Sequence, residues 1–484
     1  MLTYFLSVLP ILLLVIISLL KGVREAVMAA FVLTIIIFFY WGADFKHFMA
    51  TMTVSLFTTL NILMIVFGAA FLYNIMDSSG LIRRITHSID DLHPSKEIRF
   101  FLIAICLTSF FEGVAGFGTP GAIVPLLLIS MGFNAVLSVA IVLLFDGLFA
   151  LFGAVGTPLR IGMQLPLQLS DAQLNLIGII SAVIGVLMMG VLLLLIFQMF
   201  RKVHEPLQHK AKIFVLYIFF ALPFCLFAYL ITDMATILAS LMMLLLSVFY
   251  LKPKETRLDF QPWLPYILLA FLLLLPKLIL PLNRWIGWDI TFSDLFASGI
   301  QSVFKPMQSP MIPFVLVGLA VAWFYKNKTL QLNLALKKSG TVFVVLFPSI
   351  AVAQLMIYSG VSQPSMISYI SQMLGNLGNL YPVVAPMIGI IGAFITGSTT
   401  ISNIVFAPSQ LETAQLIGLH PEIILAQQHL GASLGNAVSL FNIIAAAAIA
   451  NLSNYKEVLQ KTILPVLLGG LLIAMMGIFL MDFL

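Results

Sequence analysis

Long apolar runs recur along this chain, broken by short polar loops. A bilayer core about 30 Å thick takes about 20 apolar residues per helix. On that measure the candidate spans are 2–20, 26–41, 53–76, 98–111, 134–152, 175–199, 213–232, 234–251, 263–281, 310–325, 340–358, 381–396, 422–450 (interrupted) and 463–483. The pattern predicts an all-α polytopic membrane protein with about 12–14 transmembrane helices. Lys and Arg collect in short loops at 21–25, 77–99, 200–212, 252–258, 326–338 and 456–461. Placing all six on the cytoplasmic side leaves most other loops nearly free of basic residues and the N-terminus outside. Segment 282–309, with Arg284, Trp285, Trp288 and Lys305, reads as an external interfacial loop.

This arrangement creates a counting problem. Between the basic loops 77–99 and 200–212 the chain must cross the membrane an even number of times, yet only three clear spans lie there. The missing crossing belongs to 112–133 or 153–174, where a re-entrant hairpin or a broken helix is expected. The first region opens with Glu112–Gly–Val–Ala–Gly–Phe–Gly–Thr–Pro120, one carboxylate and three glycines in an apolar setting. Hydrocarbon satisfies neither a stray charge nor a free backbone amide, so such a stretch is expected to line a protein-enclosed cavity.

The second half carries a weak copy. Gly113 and Gly397 each open a polar stretch, expected to be poor in helix, and Gly132 and Gly418 close them. Each is followed by an interrupted apolar helix, broken first at Gly153–Pro158 and then between Gly431 and Asn442. Matched pairs of interrupted segments point to a transporter site at a repeat interface, and nine intervening crossings would make the repeats inverted. The division expected is an N-terminal repeat over 1–210 with its hairpin at about 112–133, linking helices over 211–261, and a C-terminal repeat over 262–484 with its hairpin at about 397–418.

Composition narrows the function. Hydrophobic residues make up 61% of 484 and charged residues 9%, against about 25% charged in a soluble domain. The net charge of +5 sits in topology-setting loops, so nucleic acid is excluded as a partner. Cys106 and Cys225 lie in apolar runs without metal-ligand neighbours, and Asp90–Asp91 has no metal-like spacing. No cofactor, metal or catalytic group is expected, and a membrane enzyme is disfavoured. A passive channel would not need two matched hairpins, and it stays open as an alternative.

Discontinuous helices expose free amides at their N-terminal ends, which suit an anionic group. Gly116 and Gly118 let backbone approach a ligand closely. Thr119, Thr157, Ser398, Thr399, Thr400, Ser402, Asn403, Asn436, Ser439 and Asn442 supply hydroxyls and amides to replace a solute's hydration shell. Arg160 suits a carboxylate through its planar fork, with headgroup snorkelling as the bland reading. Glu112 and Asp146 are the candidate proton carriers; Asp146 equally suits a packed pair with Arg160. His429 suits a proton relay, although a lone histidine is more often a satisfied polar spacer.

At these positions the chain resembles the bacterial lactate permease family. The resemblance rests on FEGVAGFGTPGAI (Phe111–Ile123), GAVGTPL (Gly153–Leu159), GSTTISNIVFAPSQLETAQLIG (Gly397–Gly418) and the following LGASLGNAVSLFNIIAAAA, with SGLIRRI (Ser79–Ile85) alongside. It is specific over roughly 79–160 and 381–452. The resemblance implies a multi-pass protein of the bacterial inner membrane that imports lactate or small relatives such as glycolate with a proton, on a hairpin-containing, inverted-repeat fold of the ion-transporter type. Departures accompany the matches. Thr399 and Asn436 stand where the family pattern has Asp and Lys, Asp146 where it has Asn, and His429 where it has Thr. A charge pair has been lost together, which strands neither partner. Another organic anion, or another coupling cation, is therefore the alternative.

Overall fold

The computed structural model describes residues 1–90, 93–116, 119–203, 207–251, 261–278, 290–304, 306–325, 332–452 and 455–483. Helices account for nearly all of them; among the described residues the one sheet is a two-stranded pairing of Ile290–Phe292 with Ser302–Phe304. Among the described residues ten helices are long and apolar enough to cross a membrane, from Val23–Tyr40 to Tyr455–Met481. Leu2–Ser18, Thr119–Ser130, Gln261–Leu273 and Met311–Phe324 are shorter apolar helices. The chain is an all-α polytopic membrane protein. Apolar spacing marked the spans because backbone in hydrocarbon must bond to itself, and helix is the local way to do so.

The helices gather in two groups. In the first, Phe45–Ser78 packs along Leu332–Ile357 and Met311–Phe324, and Leu2–Lys21 packs on Val23–Tyr40. One apolar cluster joins Leu14, Phe38 and Trp41 to Val352, Met356 and Met366. In the second, residues 96–251 and 381–481 interleave: Tyr381–Thr396 lies on Pro421–Asn436, and Ala135–Phe149 packs against both Pro421–Asn436 and Tyr455–Met481. The groups meet where Ile161, Ile401 and Val405 share a cluster with Leu346 and Ile350, where Met366–Gly375 packs on Thr399–Ile417, and where Phe71 and Phe314 join the core of the second group.

The closest packing is within the second group. A Cβ at Gly431 would lie 2.1 Å from the Pro386 carbonyl oxygen, and one at Gly435 would lie 2.3 Å from that of Ile390. The small-xxx-small spacing therefore lets two backbones touch, as membrane helix pairs commonly do.

The two polar stretches differ from the expectation that they are poor in helix. Thr119–Ser130 and Thr399–Ile417 are helices, and the breaks are confined to their starts. Proline, serine and threonine lower helix propensity in water, but burial without water makes an unbonded backbone costlier than a poor helix former. Thr108–Val114, continued back through a π-turn to Lys96, forms the first arm of one hairpin and Thr119–Ser130 the second. Tyr381–Thr396 and Thr399–Ile417 form the other.

Candidate functional site

Each hairpin tip sits on the break of its own half's interrupted helix. In the first half the chain leaves Ala135–Phe149 through a 3-10 turn. It then takes three left-handed residues in succession, Ala154 (φ 43°), Val155 (φ 56°) and Gly156 (φ 73°). A β-branched residue there is strained, on the order of 1–3 kcal/mol, and persists only when its surroundings hold it. Gly116, at the first tip, supplies one such support: a Cβ on it would lie 2.9 Å from Ala154 Cβ. In the second half Pro421–Asn436 ends, and Leu440–Ile449 restarts after Ser439. Gly397 (φ 68°) lies over this restart, where a Cβ would sit 3.2 Å from Ser439 Oγ. Asn442 Nδ2 ties the restart together by donating to Asn436 Oδ1 (2.6 Å), to the Asn436 carbonyl (3.1 Å) and to the Gly397 carbonyl (3.4 Å).

Two helix N-termini thus converge at Gly397. Ser398 caps one by accepting from the Ile401 amide at 3.3 Å. Ser439 stands at the cap of the other without capping it, its buried Oγ having no partner among the described residues. Free amides and two dipole ends point at one place, the arrangement that favours an anion.

The halves are also interlocked. Thr119–Ser130 packs on Leu440–Ile449, while Thr399–Ile417 packs on the 160–164 turn that follows the first break. The interrupted helices cross at Gly147, where a Cβ would lie 2.9 Å from Ala437 Cβ, and Ser433 Oγ donates to the Gly147 carbonyl.

Glu112 and Asp146 are both buried, at 5% and 2% exposure, and their carboxyl groups are immediate neighbours. Glu112 Oε2 and Asp146 Oδ1 have no hydrogen-bond partner among the described residues. Two carboxyls can bond to one another only if one carries a proton. Gly153 makes room for the pair, since a Cβ there would lie 2.3 Å from Glu112 Oε1.

Arg160 lies elsewhere. Its Nη2 is 3.0 Å from Asp233 Oδ2 and its Nε 3.2 Å from both carboxylate oxygens, so its partner is Asp233 and not Asp146. Asp233 stands in the short turn between Lys210–Leu230 and Ala235–Leu251, and sequence reasoning passed over it because that turn looked like a simple loop. One acidic residue between two apolar spans was the available signal.

The remaining candidates divide. Thr119 Oγ1 is buried without a partner among the described residues, and Thr157 Oγ1 bonds back to the Ala154 carbonyl. Thr399 Oγ1 reaches the Ala432 carbonyl at 3.5 Å, and Thr400 is buried with its carbonyl against Gly162. Ser402 Oγ donates to the Gly389 carbonyl at 3.1 Å, which ties the hairpin arms together. Asn403 and His429 bond to one another at 2.9 Å. Gly118 lies outside the described residues. A buried amide set, Gln410, Gln427 and Gln428, was also passed over; three polar side chains in a row at 427–429 of an apolar helix were its signal.

The L-lactate permease family model matches residues 3–281 and 292–484. The chain belongs to the L-lactate permease family. Among curated relatives, a putative L-lactate permease of Haemophilus influenzae is 25% identical over 530 aligned residues, covering 100% of this chain and 99% of its own. L-lactate permeases of Bacillus subtilis (25% identical, covering 84% of this chain and 82% of theirs) and Escherichia coli K12 (22%, covering 82% and 80%) are similar over most of their length. Members of the L-lactate permease family are membrane transporters and not enzymes.

Proposed function

We propose that this chain imports a small monocarboxylate such as lactate or glycolate across the bacterial cytoplasmic membrane, with a proton, by alternating access. The observation that carries the reading is the convergence of two helix N-termini at Gly397, inside the membrane-spanning part of the chain. Amides at Thr399, Thr400 and the start of Leu440–Ile449 hold the carboxylate, with Ser398, Ser439, Asn436 and Asn442 around it. Gly116, Gly118, Thr119 and Thr157 form the corresponding surface in the first half. Ser402 and Arg160 support the site from behind, since both are already bonded within the protein.

The coupling proton is held between Glu112 and Asp146, whose neighbouring carboxyls form a bond only when at least one is protonated. The reciprocal packing of each hairpin on the other half's interrupted helix supports an internal duplication, with repeats over 1–210 and 262–484 joined by 211–261. Thr399 and Asn436, in place of an acid and a lysine, favour a second reading in which a different organic anion is carried with different coupling.

Uptake of labelled L-lactate into proteoliposomes, with and without an inward proton gradient, tests the proposal. Uptake that rises with the gradient is expected. Uptake insensitive to it would remove the proton, and no uptake in either condition would remove lactate.

A further inference from the structure

The break in the first interrupted helix strips carbonyls of their helical partners, and side chains of the linking helices and the second half replace them. Gly153 N–H bonds to the Ala150 carbonyl in the 3-10 turn, which leaves the Phe149 and Leu151 carbonyls to find other donors. Thr236 Oγ1 donates to Phe149 at 3.1 Å. His429 Nε2 meets the Leu151 carbonyl at 2.9 Å, and Asn403 Nδ2 meets the Pro158 carbonyl at 3.0 Å. His429 Nδ1 and Asn403 Nδ2 lie 2.9 Å apart.

Carbonyls only accept, and this fixes every proton in the chain of bonds. His429 Nε2–H donates to Leu151, so the neutral ring presents a lone pair at Nδ1. One N–H of the Asn403 amide donates to that lone pair and the other to Pro158. The amide cannot turn over, because its oxygen would then face the Pro158 oxygen and the Nδ1 lone pair. What remains is Asn403 Oδ1, an acceptor on a fully buried side chain with no hydrogen-bond partner among the described residues. A buried acceptor left empty is costly, so it calls for a donor. Asn403 is on the first turns of Thr399–Ile417, on the hairpin whose tip carries the converging N-termini.

We propose that Asn403 Oδ1 receives the hydroxyl of a 2-hydroxy monocarboxylate, and that His429 is the positioning residue that locks the amide for it. This rests on the monocarboxylate reading and deepens it: the N-termini bind what all monocarboxylates share, and Asn403 selects those with a hydroxyl donor. Propionate lacks the donor and pyruvate presents an acceptor in its place. On this assignment His429 carries no proton during transport.

The experiment measures competition of unlabelled L-lactate, propionate and pyruvate against labelled L-lactate in proteoliposomes. The wild type should prefer lactate by about tenfold or more over both analogues, since a site built to bond a hydroxyl rejects ligands without one. Asn403→Leu should lose that preference while still binding monocarboxylates, read as thermal stabilisation by each ligand if uptake is lost. His429→Gln, which keeps one donor and one acceptor without a titrating ring, should retain both the preference and gradient-driven accumulation. His429→Leu should lose the preference. Equal competition by all three ligands in the wild type, or a preference that survives in Asn403→Leu, overturns the assignment. Loss of accumulation in His429→Gln with the preference intact makes His429 a proton carrier and overturns its positioning role. A wild type that carries none of the three fails the monocarboxylate reading itself, which is a different result from any of these.

Discussion

The carboxyl pair at Glu112 and Asp146 has consequences that single substitutions separate. Glutamine at 112 offers an N–H to Asp146 in place of a shared proton, so the variant imitates the loaded pair permanently. Glu112→Gln is therefore expected to keep lactate–lactate counterflow while gradient-driven accumulation falls about tenfold or more, because the pair can no longer release its proton. Asp146→Asn should do the same, and the double variant should be no worse than either single one. Accumulation undiminished in both variants would remove the pair from coupling. Gly153→Ala tests the space rather than the charge. Its Cβ, 2.3 Å from Glu112 Oε1, must push the carboxyl away, and a loss of accumulation like that of Glu112→Gln is expected.

At the scale of helices, the pairing of Tyr381–Thr396 with Pro421–Asn436 depends on glycines that meet backbone. The atom opposite Gly435 is a carbonyl oxygen, which cannot swing aside as a side-chain tip would. Gly435→Val is expected to cost about 2–3 kcal/mol from overpacking, visible as a lower melting temperature and early aggregation in detergent, with Gly340→Val, at an open position, as the harmless control. An unchanged melting temperature would mean that the helices separate without cost. Helix positions of this kind were legible in the sequence, because apolar length alone sets a membrane span. The polar stretches were not: Thr119–Ser130 and Thr399–Ile417 look like loops by propensity, and only burial makes them helices. The two breaks were legible from Gly153–Pro158 and from the stretch between Gly431 and Asn442, since glycine, proline and asparagine act locally. The partners of Arg160 and His429 were not, because Asp233, Asn403 and the Leu151 carbonyl come from other elements and are brought close only by the fold.

For the whole molecule, alternating access as proposed requires one group of helices to move against another, and the packing indicates which. Leu2–Ser78 and Met311–Gly375 hold together through their own apolar clusters, while the hairpins and interrupted helices hold together through the glycine contacts and the Asn403–His429 bonds. Between the groups lie aliphatic contacts among Ile161, Ile401, Leu346 and Ile350, with two hydrogen bonds beside them, Ser18 Oγ to the Ile395 carbonyl (3.0 Å) and Ser371 Oγ to the Ser409 carbonyl (3.2 Å). The aliphatic part of such a surface can slide, because dispersion contacts reform at a new register, and the two hydrogen bonds would have to break and reform as it does so. Cysteines at Ile161 and Ile350, introduced after Cys106 and Cys225 are replaced by Ala and Ser, place a thiol on each side of it. Joining them with a short disulfide-forming linker should abolish net uptake and counterflow alike, while L-lactate still raises the melting temperature, and a reducing agent should restore both fluxes. A pair within the moving group, Ala140 with Ala446, shares one apolar cluster between the two interrupted helices and should tolerate the same linkage with flux retained. Full transport with the first pair joined would place the moving boundary elsewhere, and loss of flux with the second would mean that the two interrupted helices themselves shift past one another in the cycle.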